Sequence, residues 1–145
     1  INNRPGQWIE TPNQNKTDLE KTIEWCIKNQ IININILGCG GSREDHMIGN
    51  LFCLSKYYDQ IKCKIITNES KIICYSGENH IDVEMNQQIS IIATELINDF
   101  TIDGLKYNIK NVKLKPSTHA ICNESINKQF YLNCSGKVLV FFNHK

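Results

Sequence analysis

The feature that most constrains this chain is a β-branched run that ends directly in a glycine-rich turn. Residues 31–37 (IININIL) have the length and composition of a strand, and the turn Gly38-Cys39-Gly40-Gly41 follows at once. The next segment, residues 45–58, is predicted to be a helix that carries Ile48, Leu51, Phe52 and Ser55 on one face. A strand, a glycine loop and a helix in series are typical of α/β proteins.

A second helix is predicted before this strand. Thr17 and Glu20 have the spacing of a capping box, in which a hydroxyl and a carboxylate satisfy the first amide groups of a helix. We expect the helix to run to about Asn29, with an apolar stripe of Leu19, Ile23, Cys26 and Ile27. Two more strands are predicted at residues 62–67 and 71–75.

The pattern changes after a predicted turn at residues 76–79. From there only short strand-like runs occur, at residues 88–93, 105–109, 129–134 and 137–142, separated by turn signals at Asp103-Gly104, Pro116 and Ser135-Gly136. The fold expected is therefore a Rossmann-like, three-layer α/β part over residues 1–77, followed by an all-β antiparallel sandwich over residues 78–145. The first part would be the C-terminal portion of an α/β domain.

Composition excludes several classes of function. Sixteen basic and fifteen acidic residues give a net charge of +1, so we expect neither nucleic acid nor an anionic membrane as partner. No apolar stretch reaches membrane-spanning length. The seven cysteines are odd in number and form no C-x-x-C pair, which favours free thiols in a reducing cytoplasm over a disulfide framework.

The glycine loop, residues 38–43, is a candidate phosphate site. Amide groups at the start of a helix attract anions, glycines allow close approach, and the guanidinium of Arg43 can hold two phosphate oxygens. The loop has neither the Walker A pattern nor the Rossmann glycine spacing. Without further support, the alternative is a tight connection between strand and helix.

Asp18 and Asp45 each lie near the start of a predicted helix. Both helices should begin at the same edge of the sheet, so Asp18, Arg43 and Asp45 could meet in one crevice. The alternative is that both carboxylates are solvated, with Asp45 as a helix cap. Tyr107 and Asn123 leave similar alternatives open, a half-buried strand aromatic and a turn residue. The histidines lack zinc spacing, and Cys39 lacks a partner for nucleophilic catalysis.

Four segments in sequence resemble the thiamine pyrophosphokinase family. Residues 12–20 are similar to its P-x-Q-x-x-T-D segment, and residues 38–50 match its G-x-x-G-x-R-x-D-H-x-x-x-N block. Residues 101–107 (TIDGLKY) are similar to its T-x-x-G-L-K-W/Y motif, and residues 123–125 (NES) resemble a later turn. Residues 135–140 resemble its closing hairpin. The order and spacing hold from about Thr11 to Phe142.

The resemblance implies an enzyme that transfers pyrophosphate from ATP, the co-substrate, to thiamine with Mg²⁺. It implies a homodimer with thiamine held between two subunits. The site residues implied are Asp18 for the metal, Asp18, Arg43 and Asp45 for catalysis, Gln14, Tyr107 and Asn123 for thiamine, and Gly40, Gly41, Ser42, Arg43 and His46 for the nucleotide phosphates.

The chain departs from the family pattern at several points. A first acidic motif, G-D-x-D-S, is absent, Asn13 replaces an acidic residue, and Ala120 and Cys122 stand where some relatives have serine. We therefore expect the functional polypeptide to extend upstream of Ile1 and to carry further carboxylates there. Two alternatives remain: a related diphosphokinase for a pterin alcohol, and a catalytically silent ligand-binding or dimerising module.

Overall fold

The computed structural model describes residues 12–40 and 43–144, and these form a mixed sheet with few helices. Gly41 and Ser42, two of the expected phosphate-binding residues, lie outside this part of the chain. The described elements are, in order, α1 (Asp18–Lys28), β1 (Asn33–Leu37), α2 (Glu44–Lys56), β2 (Lys62–Ile66), β3 (Ser70–Asp82), β4 (Gln88–Ala93), β5 (Ile97–Asp103), β6 (Ile109–Leu114), β7 (Asn123–Glu124) and β8 (Gln129–Asn143).

Helix α1 begins at the predicted cap residue, but the Glu20 carboxylate of the expected capping box accepts from Lys56 and Tyr57 instead. Thr17 is the N-cap, and its Oγ1 accepts a hydrogen bond from the amide of Glu20 at 3.2 Å. Ile23 and Cys26 are buried, while Leu19 and Ile27 pack against the same core. The prediction of the helix and of its apolar stripe is confirmed.

Helix α2 buries a different face from the one predicted. Ile48 and Phe52 are 55% and 54% exposed, whereas Cys53 and Leu54 are buried. The error has a physical cause: the helix also has Met47, Leu51 and Leu54 at helical spacing, so two apolar stripes compete and periodicity alone does not choose between them. The N-cap is Arg43, not Asp45 as one alternative had it.

The sheet joins parallel and antiparallel strands. β1 pairs with β2 in parallel, and β2, β3, β8, β4 and β7 follow in antiparallel order. β5 pairs with both β8 and β6. β1 has β2 as its only partner among the described residues, and its residue Leu37 is 71% exposed. The apolar run therefore does not form a strand buried on both faces within residues 12–40 and 43–144.

β3 and β8 are longer than predicted, because two turn signals lie inside strands. Residues 76–79 continue β3, and Ser135-Gly136 lies inside β8, so the expected closing hairpin is wrong. The pairing moves from Tyr75↔Val138 to Gly77↔Cys134, which leaves extra residues on β8. The result is a bulge. Asn98 and Asp99 donate their amides to Oγ of Ser135, which holds the bulge against the start of β5.

The later strands are predicted in part. β4 occupies residues 88–93 as expected. The strand predicted at residues 105–109 is wrong: β5 ends at Asp103, β6 begins only at Ile109, and between them Leu105 makes a single bridge to Ser125. The predicted turn at Asp103-Gly104 is present, and Gly104 has a φ of +92°. A tight turn here ends the strand before it rather than beginning one after it.

The buried residues form two clusters. The first contains α1, α2 and the sheet from β1 to β3, and the second contains β4, β5, β6 and much of β3 and β8. β8 contributes to both, because Leu139 faces the first cluster while Val138 and Val140 face the second. β3 passes through residue 77, so the division of the chain there stays a prediction. No helix in the described part of the chain is long and apolar enough to cross a membrane.

Candidate active site

The expected catalytic residues lie at the starts of the two helices. β1 pairs in parallel with β2, and α2 starts after the loop that follows the carboxyl end of β1. The first turn of α1 contacts the C-terminal end of α2, through Glu20 with Lys56 and Tyr57, and a meeting of Asp18 with Arg43 and Asp45 in one crevice stays a prediction. Crevices at the carboxyl ends of parallel strands are common ligand sites in α/β proteins. Asp18 begins α1, and Arg43 and Asp45 lie at the start of α2.

Arg43 and Asp45 form a two-point ion pair. Nε of Arg43 donates to Oδ1 of Asp45 at 3.1 Å, and its second terminal nitrogen donates to Oδ2 at 2.5 Å. Both side chains are mainly exposed. The hydrogen bond from Arg43, and then the amide of His46 at 2.9 Å, hold the pKa of Asp45 below its usual range. The same pairing raises the pKa of Arg43.

This pair fixes a guanidinium beside the start of a helix. A carboxylate that grips both edges of a guanidinium restricts its orientation, and the helix start adds amide donors and a favourable dipole for anions. His46 is the next residue along α2, and its side chain is exposed. Because a carboxylate with a lowered pKa is a weak proton acceptor, the pairing favours an orienting role for Asp45 over that of a general base.

The described part of the glycine loop lies beside the end of β2. Gly38 has a φ of +72°, a conformation that glycine adopts without strain. A Cβ on Gly40 would lie 3.7 Å from the methyl group of Thr67. Burial raises the pKa of the Cys39 thiol, which disfavours the thiolate and agrees with a small loop residue rather than a nucleophile.

Asp18 presents an open carboxylate. Its side chain is 98% exposed, and Lys21 lies 3.3 Å from its Oδ1. No group of three or more His, Cys, Asp or Glu side chains that could hold a metal occurs in residues 12–40 and 43–144. Mg²⁺ on a nucleotide needs only one or two protein carboxylates, because phosphate and water oxygens complete its octahedron. Asp18 fits such a site, and Gln14 lies exposed four residues before it.

Tyr107 and Asn123 are brought together. Oδ1 of Asn123 accepts from the amide of Tyr107 at 3.0 Å, and Nδ2 of Asn123 donates to the carbonyl of Tyr107 at 2.7 Å. Asn123 is buried, whereas Tyr107 is 62% exposed. The alternative in which Tyr107 is a half-buried strand aromatic is wrong. The amide of Asn123 is occupied by backbone groups, so it holds the loop that displays the tyrosine ring.

Two groups of structural residues around the site were missed from the sequence. Ser125 is fully buried, accepts from the amide of Gln87 at 2.9 Å and also donates to the carbonyl of Glu84. The second group is centred on Tyr57, whose hydroxyl lies 2.8 Å from Glu24 and 3.0 Å from Glu20. The sequence signal for this group was the spacing of Glu20 and Glu24, which lie one helical turn apart and therefore share one face of α1.

Comparison with known proteins identifies relatives of this chain. The model of the thiamin pyrophosphokinase catalytic domain matches residues 1–67. The thiamine pyrophosphokinase of Bacillus subtilis (strain 168) is 30% identical over 141 residues, which cover 94% of this chain and 66% of that protein. Thiamin pyrophosphokinase 1 of Caenorhabditis elegans is 25% identical, over 96% of this chain and 63% of that protein.

Solved structures give the same result. The crystal structure of thiamine pyrophosphokinase from Bacillus subtilis superposes with a TM-score of 0.81 at 29% identity, over 92% of this chain and 65% of that one. The chain thus spans just under two thirds of the length of these relatives, 66% and 63% of the two curated proteins. On the matched catalytic-domain model, the sequence relatives and the shared fold, this chain belongs to the thiamine pyrophosphokinase family.

Proposed function

We propose that the protein transfers a pyrophosphoryl group from ATP to the hydroxyl of thiamine, giving thiamine diphosphate and AMP. The hydroxyl oxygen forms a bond to the β-phosphorus, and the bond from that phosphorus to the oxygen bridging to the α-phosphorus breaks. AMP leaves with the bridging oxygen, and the hydroxyl proton passes to solvent or phosphate. The observation that carries the proposal is the Arg43 guanidinium, gripped by Asp45 at the start of α2.

The nucleotide end of the site is supported by charge and position. Arg43 would bind phosphate oxygens together with Gly40, Gly41, Ser42 and His46, because reactions of this kind depend on positioning and charge neutralisation. Asp18 would hold Mg²⁺, which neutralises phosphate charge when bound. Asp45 would act through Arg43, as its lowered pKa supports.

The thiamine end is assigned to Gln14, Tyr107 and Asn123. The exposed ring of Tyr107 offers an aromatic face for a cationic heteroaromatic ring, since stacking and cation–π attraction both act there. Asn123 would contribute by fixing the backbone of Tyr107. Gln14 is supported by its exposure and by its place just before α1.

The finer architecture belongs to the same proposal. We assign residues 1–77 to a Rossmann-like, three-layer ATP-binding part and residues 78–145 to an antiparallel sandwich for thiamine, which the two buried clusters support. A homodimer with thiamine between subunits is supported by the exposed apolar side chains of Tyr107, Ile121 and Ile126, the last two in the segment whose Asn123 is hydrogen-bonded to Tyr107. A cytoplasmic location is supported by seven free thiols.

AMP formation by the complete gene product tests the proposal. We expect AMP release with ATP, Mg²⁺ and thiamine, and none with a pterin alcohol. Asp18→Asn should lower the rate by about a hundredfold or more, because Mg²⁺ would lose its protein carboxylate. Asp99→Asn, an exposed carboxylate on β5, is the matched control and should behave as wild type. A preference for the pterin, or no AMP from either acceptor, would contradict the proposal.

A further inference from the structure

Five side chains link helix α1 to the end of helix α2. The hydroxyl of Tyr57 lies 2.8 Å from Oε1 of Glu24 and 3.0 Å from Oε1 of Glu20. Lys56 donates to Glu20 at 2.5 Å, and Lys16 donates to Glu24 at 2.5 Å. The negative charges of two carboxylates are therefore balanced by the positive charges of two ammonium groups around one phenol hydroxyl. We call this set the Tyr57 cluster.

The Tyr57 cluster contacts two neighbouring parts of the chain, the segment just before α1 and the first turn of α1. Lys16 directly precedes the cap residue Thr17, and Glu20 lies in the first turn of α1. Glu20 also donates its amide to Thr17 at 3.2 Å, so its backbone and side chain are both held. The same short stretch carries Gln14 and Asp18, whose side chains are exposed; Oδ1 of Asp18 lies 3.3 Å from Nζ of Lys21 in the next turn of α1.

Tyr57 is the centre of the cluster in burial as well as in geometry. It is 5% exposed, whereas the Lys56, Lys16 and Glu24 side chains are 59%, 33% and 38% exposed. Ion pairs open to water contribute little to position, because solvent competes for both charges. A buried hydroxyl between two carboxylates is the stronger restraint, because its loss would leave Glu20 and Glu24 with only Lys56 and Lys16, whose ammonium groups are open to water, as donors.

We propose that Tyr57 is a positioning residue for pyrophosphoryl transfer. Its hydroxyl fixes the first turn of α1 and the segment before it, so that Asp18 and Gln14 meet the substrates in one geometry. The proposal rests on the proposed function for its catalytic consequence. Its structural part, the fixing of α1 by one hydroxyl, is independent of any substrate.

Tyr57→Phe in the complete gene product tests this, with Tyr58→Phe as the matched control. Both changes remove one phenol oxygen from adjacent residues, but the hydroxyl of Tyr58 donates to the carbonyl of Ser76, at 3.4 Å, and not to α1. Two quantities are measured: hydrogen exchange of the amides of Glu20 and Lys21, which donate to Thr17, and the steady-state constants for AMP formation.

In Tyr57→Phe we expect exchange at these two amides to rise by about tenfold, and kcat to fall by about tenfold with a smaller change in KM. Tyr58→Phe should match wild type in both. Unchanged exchange in Tyr57→Phe, unchanged kcat, or equal losses in the two variants would overturn the inference. A wild-type protein that forms no AMP would overturn the proposed function, while the exchange result would still decide whether Tyr57 fixes α1.

Discussion

At the start of α2, the carboxyl group of Asp45 accepts two hydrogen bonds from Arg43 and one from the amide of His46. We expect its pKa to lie below the value of about 3.9 found in peptides. Because the pKa is depressed in the folded state, the pair stabilises the protein above the unfolded pKa, and this contribution is lost as pH falls through the folded pKa. In Arg43→Ala the pKa should return toward the peptide value.

Carbon-detected NMR titration of Asp45 in the wild type and in Arg43→Ala measures this directly. The catalytic consequence follows from the direction of the pKa shift, which is downward. Since Asp45 stays ionised throughout neutral pH, its titration should contribute no step to the pH dependence of kcat/KM above about pH 5. A pKa for Asp45 near neutrality would contradict the orienting role and restore that of a general base.

Tyr107 gives a second prediction for a single side chain. Its ring is exposed while its backbone is clamped by Asn123, an arrangement that presents an aromatic face without the cost of ordering it on binding. Tyr107→Ala should raise the KM for thiamine by about tenfold, the size of a lost stacking contact, and leave the KM for ATP nearly unchanged. Tyr107→Phe keeps the ring and should retain most of the affinity. Equal rises for both substrates after Tyr107→Ala would contradict the assignment.

Residue patterns predicted which side chains lie at the helix starts, but not the tertiary contacts that these side chains make. Arg43 and Asp45 could be named from a short motif, because local backbone places them at a helix start. The pairing of Asn123 with Tyr107 spans sixteen residues and depends on the bridge between Leu105 and Ser125, which no local pattern encodes. The Tyr57 cluster was hidden for the same reason, since Glu20 has one role in the cap and another in a contact with α2.

At the scale of elements, local sequence signals predicted where some helices and strands begin and end. They failed where the pairing of distant strands determines the structure. The Thr17 cap and the strand β4 follow their patterns. Gly77 and Ser135-Gly136 carry turn signals but lie within β3 and β8, because long antiparallel pairing absorbs them as a bulge. A glycine indicates an unusual backbone conformation, and only the partner strand decides whether the chain reverses there.

The bulge yields a stability prediction. Gly77 has a φ of +71°, and a Cβ there would meet nothing within 4 Å, so Gly77→Ala would be penalised by backbone strain alone. We expect a loss of about 1–2 kcal/mol in the free energy of unfolding. Gly49→Ala is the matched control: it lies inside α2, also with open space at its Cβ, and should stabilise by up to about 1 kcal/mol. Urea denaturation of both variants measures the difference. A neutral Gly77→Ala would mean that the bulge relaxes.

For the whole molecule, β8 couples the two buried clusters. Leu139 packs with the helices while Val138 and Val140 pack with the antiparallel strands, so alternate residues of one strand belong to different clusters. The two buried clusters are therefore joined by a shared strand, β8. Both parts of the chain expose large apolar side chains: Ile48 and Phe52 do so on α2, and Tyr107, Ile121 and Ile126 do so in the later part of the chain.

The exposed apolar side chains of the later part lead to the prediction of a homodimer whose seam is formed by the sandwich half. The exposed side chains of Tyr107 and Ile126 lie on the two segments that the bridge between Leu105 and Ser125 and the hydrogen bonds of Asn123 hold together, and a site shared between two copies needs apolar surface beside the proposed thiamine contact. Sedimentation velocity of the complete gene product should show a dimer at micromolar concentration. Ile126→Glu should shift it to monomer and raise the KM for thiamine, because a charge buried in a seam is strongly disfavoured. Ile48→Glu, equally exposed but on α2, should leave the dimer intact. A fully active monomer, or dissociation only by Ile48→Glu, would place the seam elsewhere or remove it.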